Sequence, residues 1–356
     1  MPVYIAVDFH ARQQTISYLT TEDGEIHRLR LEHRPDDPRH ENVRVFYSQF
    51  EGEVIVGLES GGYSRWFEDM LEDLGHEVWV GDAKQIRLLA VRKQKNDRLD
   101  ANHILDLMTT KRFPRLVRRS RYSCEILRQM GYRHKLVKMR TMGKNSLRAI
   151  AMGHGLTVRS PLHSEKGRIR FESLNLSTME AVQAAGLIDL IERLTKEIER
   201  VEEWLAEQAA EDQKVSLLRT QHGIGLLSSL AVVHTLEPVD RFASARQITA
   251  YVGMDPVENS SADRRHIGSI SKAGSKLLRF LLGEAAQVAI KKDTELKNFF
   301  CRVQKRRNTP KAIVAVAHKL LIRSFIMLRD QIDADEFYRR GLEARSSRAA
   351  RRRSRA

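Results

Sequence analysis

Four carboxylates in the first hundred residues have the types and spacing of a metal site. Asp8 follows an alternating, β-branched run, and Glu59 ends a second apolar run. Asp97 and Asp100 are three residues apart at the start of a predicted helix, so they share one helical face. Converging acids repel one another unless a divalent cation neutralises them. The pattern predicts two Mg²⁺ ions held by all four acids, an arrangement suited to in-line phosphoryl transfer.

The elements around these acids predict an α/β fold. Residues 3–7, 15–20 and 26–31 alternate apolar and polar side chains, with an Asp-Gly turn signal before the third run, so they predict an antiparallel meander. Predicted helices at 42–50 and 63–74 flank a fourth strand at 54–58, and a fifth follows at 75–80. Three hairpin strands followed by a helix-flanked parallel pair is the order of an RNase H-like fold.

Residues 113–213 contain few strand-favouring runs and are predicted to be helical. A heptad seam with charges outside it is formed by Ile191, Leu194, Ile198, Val201 and Leu205. The seam predicts a coiled-coil spacer. Either an antiparallel helical hairpin or a seam for a second subunit would satisfy it.

Residues 214–330 are predicted to form a mainly α-helical domain. A helix, a turn with Gly223 and Gly225, and a second helix form a helix-hairpin-helix pattern, whose glycines let the backbone approach a phosphate. A polar loop over residues 251–268 contains Ser260 and Ser261, and the neighbouring Arg264 and Arg265 can pair with a phosphate backbone. Helices are predicted at 275–289 and 311–329.

The overall charge indicates a polyanionic partner. The 356 residues have a formal net charge of +15, which favours nucleic acid. Residues 331–356 form a basic tail, which from Arg339 onwards is predicted to be disordered when alone and to bind phosphate backbones by counterion release. Cys124 and Cys301 are expected to be free thiols. With no signal-peptide pattern and no apolar run of bilayer length, we expect a soluble cytoplasmic protein with no membrane partner.

Simpler explanations exist for each residue taken singly. One acid alone is explained as a surface residue or helix cap, and two adjacent serines as a turn. For His10, His103 and His222 a surface or packing role is preferred, because no metal-ligand spacing recurs among them. The four acids together are harder to explain in this way, because two of them follow strands that a fold would bury.

The motifs resemble those of the insertion-sequence transposases with an Asp-Glu-Asp-Asp site, the bridge-RNA-guided recombinases that include a pilin-gene DNA invertase. The resemblance covers about residues 1–330. Three stretches match the acidic site: Val7-Asp8, Gly57-Leu-Glu59-Ser-Gly-Gly and Lys95-Asn-Asp97-Arg-Leu-Asp100-Ala101. A fourth matches the C-terminal signature: Gly253-x-x-Pro256 leading to Ser261, then Ile270-Ser-Lys272-Ala-Gly274 and Leu278-Arg279. The third stretch matches a Lys-x-Asp-x-x-Asp-Ala signature.

The resemblance implies a RuvC-like catalytic domain over residues 1–112, a coiled-coil segment for dimerisation over 113–213, a transposase domain over 214–330 and a basic tail over 331–356. It implies that Ser261 is the nucleophile of a covalent phosphoserine intermediate. The family usually has Gly after this serine, whereas Ala262 follows here, and Ser260 is the alternative. We expect nucleic-acid contacts from Lys95, Arg98, Gly223, Gly225, Arg264, Arg265, Lys272 and Arg279.

The same resemblance implies the partners. These are target and donor DNA, a structured non-coding guide RNA whose loops pair with both, and further copies of the chain, as a dimer that forms a tetramer on two DNAs. It implies a bacterial or archaeal protein associated with the nucleoid.

Two other classes of function remain open from the sequence. One is a nuclease, either a Holliday-junction resolvase or an Asp-Glu-Asp-Asp exonuclease. The exonucleases place Asp-x-Glu on the first strand, whereas Asp8 is followed by Phe9 and His10, and a resolvase has no use for residues 253–279. The other is an architectural nucleic-acid binder whose acids are structural. Loss of activity without loss of binding on substitution of Asp97 would exclude the binder.

Overall fold

The computed structural model describes residues 2–20, 24–90, 97–157, 162–258 and 267–353. They belong to two compact units, Met1–Arg118 and Arg119–Ala356. In the described part of the chain, no helix combines the length and the apolar character needed to cross a bilayer.

The N-terminal unit is built on a five-stranded sheet, with strands β1 Val3–Phe9, β2 Gln13–Leu19, β3 Ile26–Glu32, β4 Val54–Glu59 and β5 Glu77–Gly81. The order across the sheet is β3-β2-β1-β4-β5. The first three strands pair antiparallel, and β4 and β5 run parallel to β1. The predicted α/β sheet is therefore confirmed. Glu22 and Asp23 of the predicted turn lie outside the described residues.

Helices cover both faces of the sheet: α1 Glu41–Ser48, α2 Arg65–Asp73, α3 Ala83–Leu89 and α4 Asp97–Thr109. Because successive side chains of a strand point to opposite faces, β1 contributes to two separate cores. Ile5 and Val7 pack in the cluster that includes residues of α1 and α2, whereas Ala6 packs with α3 and α4. Burial on both faces explains why the central strands are nearly continuous apolar runs.

The C-terminal unit is mostly helical, as predicted. Its helices are α5 Arg121–Gly153, α6 Glu165–Glu172, α7 Thr178–Ala210, α8 Gln213–Arg219, α9 Leu226–Leu236, α10 Ala245–Val252, α11 Lys276–Lys292, α12 Thr294–Arg306, α13 Thr309–Asp330 and α14 Ala334–Arg353. A two-stranded antiparallel sheet lies between α10 and α11, with strands β6 Pro256–Glu258 and β7 Ile267–Ile270. The polar loop predicted over residues 251–268 therefore contains a short strand, β6, and the start of another, β7.

Helices α5 and α7 pack against each other in opposite directions. Arg133 near the start of α5 contacts Glu202 near the end of α7, and His154 just after α5 contacts Glu180 in the first turn of α7. All five residues of the predicted heptad seam are buried. The seam is filled within one chain, as a helical hairpin requires, while its designation as a coiled coil stays a prediction.

The basic tail corrects an expectation. Residues 334–353 form α14, so the disorder predicted from Arg339 onwards is not observed over residues 339–353. Glu336 pairs with Arg339 and Arg340, which lie three and four residues further along the helix. Such pairs stabilise a helix, and Ala, Leu and Arg all have high helix propensity. These local preferences outweigh the low hydrophobicity on which the prediction of disorder rested.

Candidate active site

Asp8 and Glu59 end neighbouring parallel strands on the same face of the sheet. The paired rows run from Val3 opposite Val54 to Val7 opposite Leu58, so Asp8 and Glu59 each come one residue after the last pair. Asp8 shares its face with Ala6, and Glu59 shares its face with Gly57, the residue paired with Ala6. The two acids therefore lie at the carboxyl edge of the sheet, on the face that α4 covers.

Each of these acids is contacted by a basic side chain. His10 Nε2 donates to Asp8 Oδ2 over 3.2 Å, and Arg87 Nη2 donates to Glu59 Oε1 over 2.8 Å. Sequence reasoning missed both partners. The position of His10 two residues after Asp8, on the same side of an extended chain, was a usable signal. Arg87 is 28 residues from Glu59, and no sequence pattern indicated that the two would meet.

Helix α4 is fixed against the sheet by apolar packing and by two polar anchors. Ile104, Leu105 and Met108 are buried in the cluster that includes Ala6. Asn102 Oδ1 accepts hydrogen bonds from Ser17 Oγ at 2.8 Å and Arg28 Nε at 3.0 Å. His103, the next residue of α4, connects this helix to α3: its Nε2 donates to the Ile86 carbonyl oxygen over 3.0 Å. This is a packing role, as expected for this histidine.

Packing against α4 explains why a glycine, Gly57, stands inside β4. A Cβ at this position would collide with the side chain of Met108, which is fully buried in α4. The absence of a side chain lets α4 approach the strand that carries Glu59. The small residue before the second acid thus positions the helix that carries the other two.

The first turn of α4 contains Asp97 and Asp100, as predicted. Asp100 is half-buried. The side chains of Asp97 and Arg98, and the whole of Lys95, lie outside what the structure describes. The roles assigned to these residues stay predictions.

Carboxylates are suitable ligands for a divalent metal ion. The structure describes the side chains of only some of the four acids. Carboxylate oxygens at one edge of a sheet are ligands of the type that Mg²⁺ prefers. Among the described side chains, no three His, Cys, Asp or Glu are placed to hold one ion. Asp8 and Glu59 would supply two of the ligands, after displacement of His10 and Arg87.

The loop with the predicted nucleophile lies outside the described residues. Ser260, Ser261, Arg264 and Arg265 belong to residues 259–266, which connect β6 to β7. The base of this hairpin is held by Asp255: its Oδ1 accepts from Ser271 Oγ over 2.6 Å, and its carbonyl oxygen accepts from Ser271 N over 2.8 Å.

Three of the other residues predicted to contact nucleic acid have structural partners. Gly223 has φ +91°, and a Cβ there would collide with the backbone of α11. Gly225 is the N-cap of α9, and Arg279 donates to the Val252 carbonyl oxygen over 2.8 Å. Lys272 is exposed. Helix, turn and helix are present around Gly223, and the helix-hairpin-helix assignment stays a prediction.

Two family models match this chain, one over the stretch with the four acids and one over the stretch with the two serines. Residues 5–154, which include all four acids, match the IS110-type transposases with a DEDD site. Residues 215–301, which include Ser261, match the transposase IS116/IS110/IS902 family. The chain belongs to the IS110 family of DEDD transposases. It is thus an enzyme that acts on DNA, and membership implies dependence on a divalent metal.

Curated relatives agree with this assignment. The putative transposase y4pF/y4sB of Sinorhizobium fredii is 28% identical over 283 residues, covering 75% of this chain and 70% of that protein. The transposase for insertion sequence element IS1111A of Coxiella burnetii is 26% identical over 280 residues, 74% of each chain. A probable family 20 transposase of Pseudomonas aeruginosa is 26% identical over 260 residues, 70% of this chain and 75% of that one.

Proposed function

We propose that this transposase cleaves and exchanges DNA strands through a covalent phosphoserine at Ser261, with catalysis by Mg²⁺ held on Asp8, Glu59, Asp97 and Asp100. The observation that carries the proposal is the placement of Asp8 and Glu59 side by side, on the face covered by the helix that contains the other two acids. The strand order with its antiparallel meander and parallel pair supports a RuvC-like assignment of this unit.

The proposed step at the serine balances as a transesterification. The Ser261 oxygen forms a bond to the phosphorus of one DNA strand, the bond from phosphorus to a sugar oxygen breaks, and the serine proton ends on that oxygen. Attack by the sugar hydroxyl of another strand reverses the step, so the strands reseal without ATP. A serine hydroxyl is a poor nucleophile unless it is activated. Bound divalent ions would stabilise the charge that develops on the phosphate and the leaving oxygen.

The proposal includes the partners implied by the family. A structured RNA encoded by the element selects target and donor DNA by base pairing, while the protein contacts backbone and shape. The chain acts as a dimer that forms a tetramer on two DNAs. Support for these parts is the family membership and the strongly basic composition.

Denaturing electrophoresis of labelled DNA tests the serine step. The DNA carries the junction of element and target and is incubated with Mg²⁺ and with RNA transcribed from the non-coding flank of the gene. We expect Ser261→Ala to abolish the protein–DNA adduct and strand exchange while the circular dichroism spectrum is unchanged. Ser260→Ala should keep most of the adduct, because the proposal assigns the attack to the Ser261 hydroxyl, which this variant retains. Asp97→Asn and Asp100→Asn should lose it.

The alternatives give different patterns in the same assay. A normal adduct from Ser261→Ala refutes the assignment, and loss in Ser260→Ala instead would move the nucleophile by one residue. If the double variant still recombines, a water-dependent nuclease built on the four acids becomes the better account. Equal activity without the RNA would remove the guide from the proposal.

A further inference from the structure

The two long helices of the C-terminal unit differ sharply in charge. Helix α5 carries eight Lys or Arg and one Glu, whereas α7 carries eight acids and three Lys or Arg. Where the helices face each other the charges partly cancel, as in the pair of Arg133 with Glu202. The excess positive charge of α5 must therefore lie on its other sides.

Three basic side chains of α5 remain on that outer surface: Lys135, Lys138 and Arg148 are all exposed. Within the described part of the chain, none of the three has an ion pair or hydrogen bond. An α-helix rises 1.5 Å per residue, so residues 135 to 148 span about 20 Å along the axis. We call Lys135, Lys138 and Arg148 the α5 stripe.

A second helix extends the positive surface. Lys276, in the first turn of α11, is exposed, and Phe280 of the same helix contacts the ring of His134 with centroids 5.1 Å apart. Partial burial, and then the positive charges of Lys138, Arg133 and Lys276, lower the pKa of His134. The positive charges that act on His134 come from both helices, so basic groups of α5 and α11 lie near one another at this place.

We propose that the α5 stripe, together with Lys276, binds the phosphate backbone of a nucleic-acid duplex. Successive residues of an α-helix are turned by about 100°, so the three groups are spread around the outer half of α5 as well as along about 20 Å of it. That length is more than half of a helical turn of duplex, about 34 Å. Such a surface contacts phosphates without reading bases, and its affinity comes from release of counterions. The interaction does not depend on the serine chemistry, because it is a binding equilibrium of the intact chain.

Two triple variants of the full-length chain test the proposal. The first, Lys135→Gln with Lys138→Gln and Arg148→Gln, neutralises the α5 stripe. The matched control, Arg193→Gln with Lys196→Gln and Arg200→Gln, removes three positive charges from α7 of the same helix pair. Binding to a 30-base-pair duplex DNA and to a duplex RNA of the same sequence is measured between about 50 and 200 mM salt by fluorescence anisotropy, a range over which phosphate contacts dominate the salt dependence. Circular dichroism checks the fold of each variant.

We expect the stripe variant to lower the slope of log affinity against log salt by about two to three, since each lost phosphate contact contributes nearly one. Affinity at the lowest salt should fall at least tenfold, while the control stays within about threefold. A variant that retains charge, Lys135→Arg with Lys138→Arg and Arg148→Lys, should bind like the wild type. If the stripe variant loses affinity for only one of the two duplexes, that duplex is the partner of the stripe. If it loses affinity for both, the stripe binds the backbone of DNA and of RNA alike. Equal losses in the two triple variants, or no loss in the first, overturns the proposal.

Discussion

Arg87 donates a hydrogen bond from Nη2 to Oε1 of Glu59 over 2.8 Å, so a side-chain cation lies against one of the two acids at the sheet edge. The Arg87 side chain is 73% exposed and that of Glu59 is 31% exposed. Ion pairs this open to solvent contribute little to stability. A divalent cation can therefore displace the guanidinium without a large loss elsewhere.

Arg87→Gln should tighten binding of Mn²⁺ about three- to fivefold. Removing a unit charge near a carboxylate in a watery site is worth about 1 kcal/mol of repulsion with an incoming cation. Calorimetric titration of the chain without nucleic acid measures the change. Arg87→Lys keeps the charge and should bind like the wild type, and Glu59→Gln should weaken binding. Identical affinity in the Gln and Lys variants would show that Arg87 does not compete with the metal.

Gly223→Ala should destabilise the C-terminal unit by about 2–4 kcal/mol, from the strain of a positive φ and from overpacking against α11. Urea unfolding followed by circular dichroism measures it. The control is Gly225→Ala, where no atom lies within 4 Å of the new Cβ. It should cost at most about 1 kcal/mol as a poorer N-cap. If both variants were as stable as the wild type but bound DNA weakly, the phosphate-binding role expected for these glycines would be favoured instead.

The sequence was informative where a periodic pattern was long. Alternation over residues 3–7 predicts that Asp8 lies on the face opposite Val7. Residues 54–58 are a continuous apolar run, which predicts a strand ending at Glu59 but assigns that acid to neither face. By contrast, β6 and β7 contain three and four residues, and β6 opens with Pro256, so neither shows alternation. The contact of Arg87 with Glu59 joins two partly exposed residues of different elements. No local rule predicts such a contact, because it depends on where α3 lies at the end of the folded sheet.

Deletion of residues 339–356 should weaken nucleic-acid binding across sequences and flatten its salt dependence, because the tail is rich in arginine and poor in acids. The fold should be retained, since the deletion leaves Tyr338 with its hydrogen bond to Asp293, 2.6 Å long. A longer deletion of residues 334–356 should in addition lower thermal stability. Unchanged affinity and salt slope in the shorter form would leave the tail without a binding role.

Asp293→Asn should cost about 3 kcal/mol of stability. Arg323 and Asp293 form a buried ion pair of 2.6 Å, with side chains 7% and 5% exposed. Removing one partner leaves a buried charge without full compensation. The amide can still accept from Leu296 N at the start of α12, so the helix cap is retained. The matched change at a more open pair, Asp330→Asn beside Arg329, should cost less than about 1 kcal/mol. Urea unfolding measures both, and equal costs would show that burial does not strengthen the pair.

Tyr338 should make the docking of α14 sensitive to alkaline pH. Burial, and then the hydrogen bond to Asp293, raise the pKa of Tyr338 to about 12, whereas a tyrosine in the unfolded chain titrates near 10. The folded state holds this proton more tightly, so the stabilisation is complete below about pH 10 and is lost as the pH rises from 10 towards 12. Urea unfolding between pH 9 and 11 should show a steeper loss of stability in the wild type than in Tyr338→Phe. Tyr63→Phe removes the same hydroxyl from an exposed side chain and should keep the wild-type slope. If Tyr338→Phe also kept it, the proton on Tyr338 would not be what holds α14 to the buried ion pair.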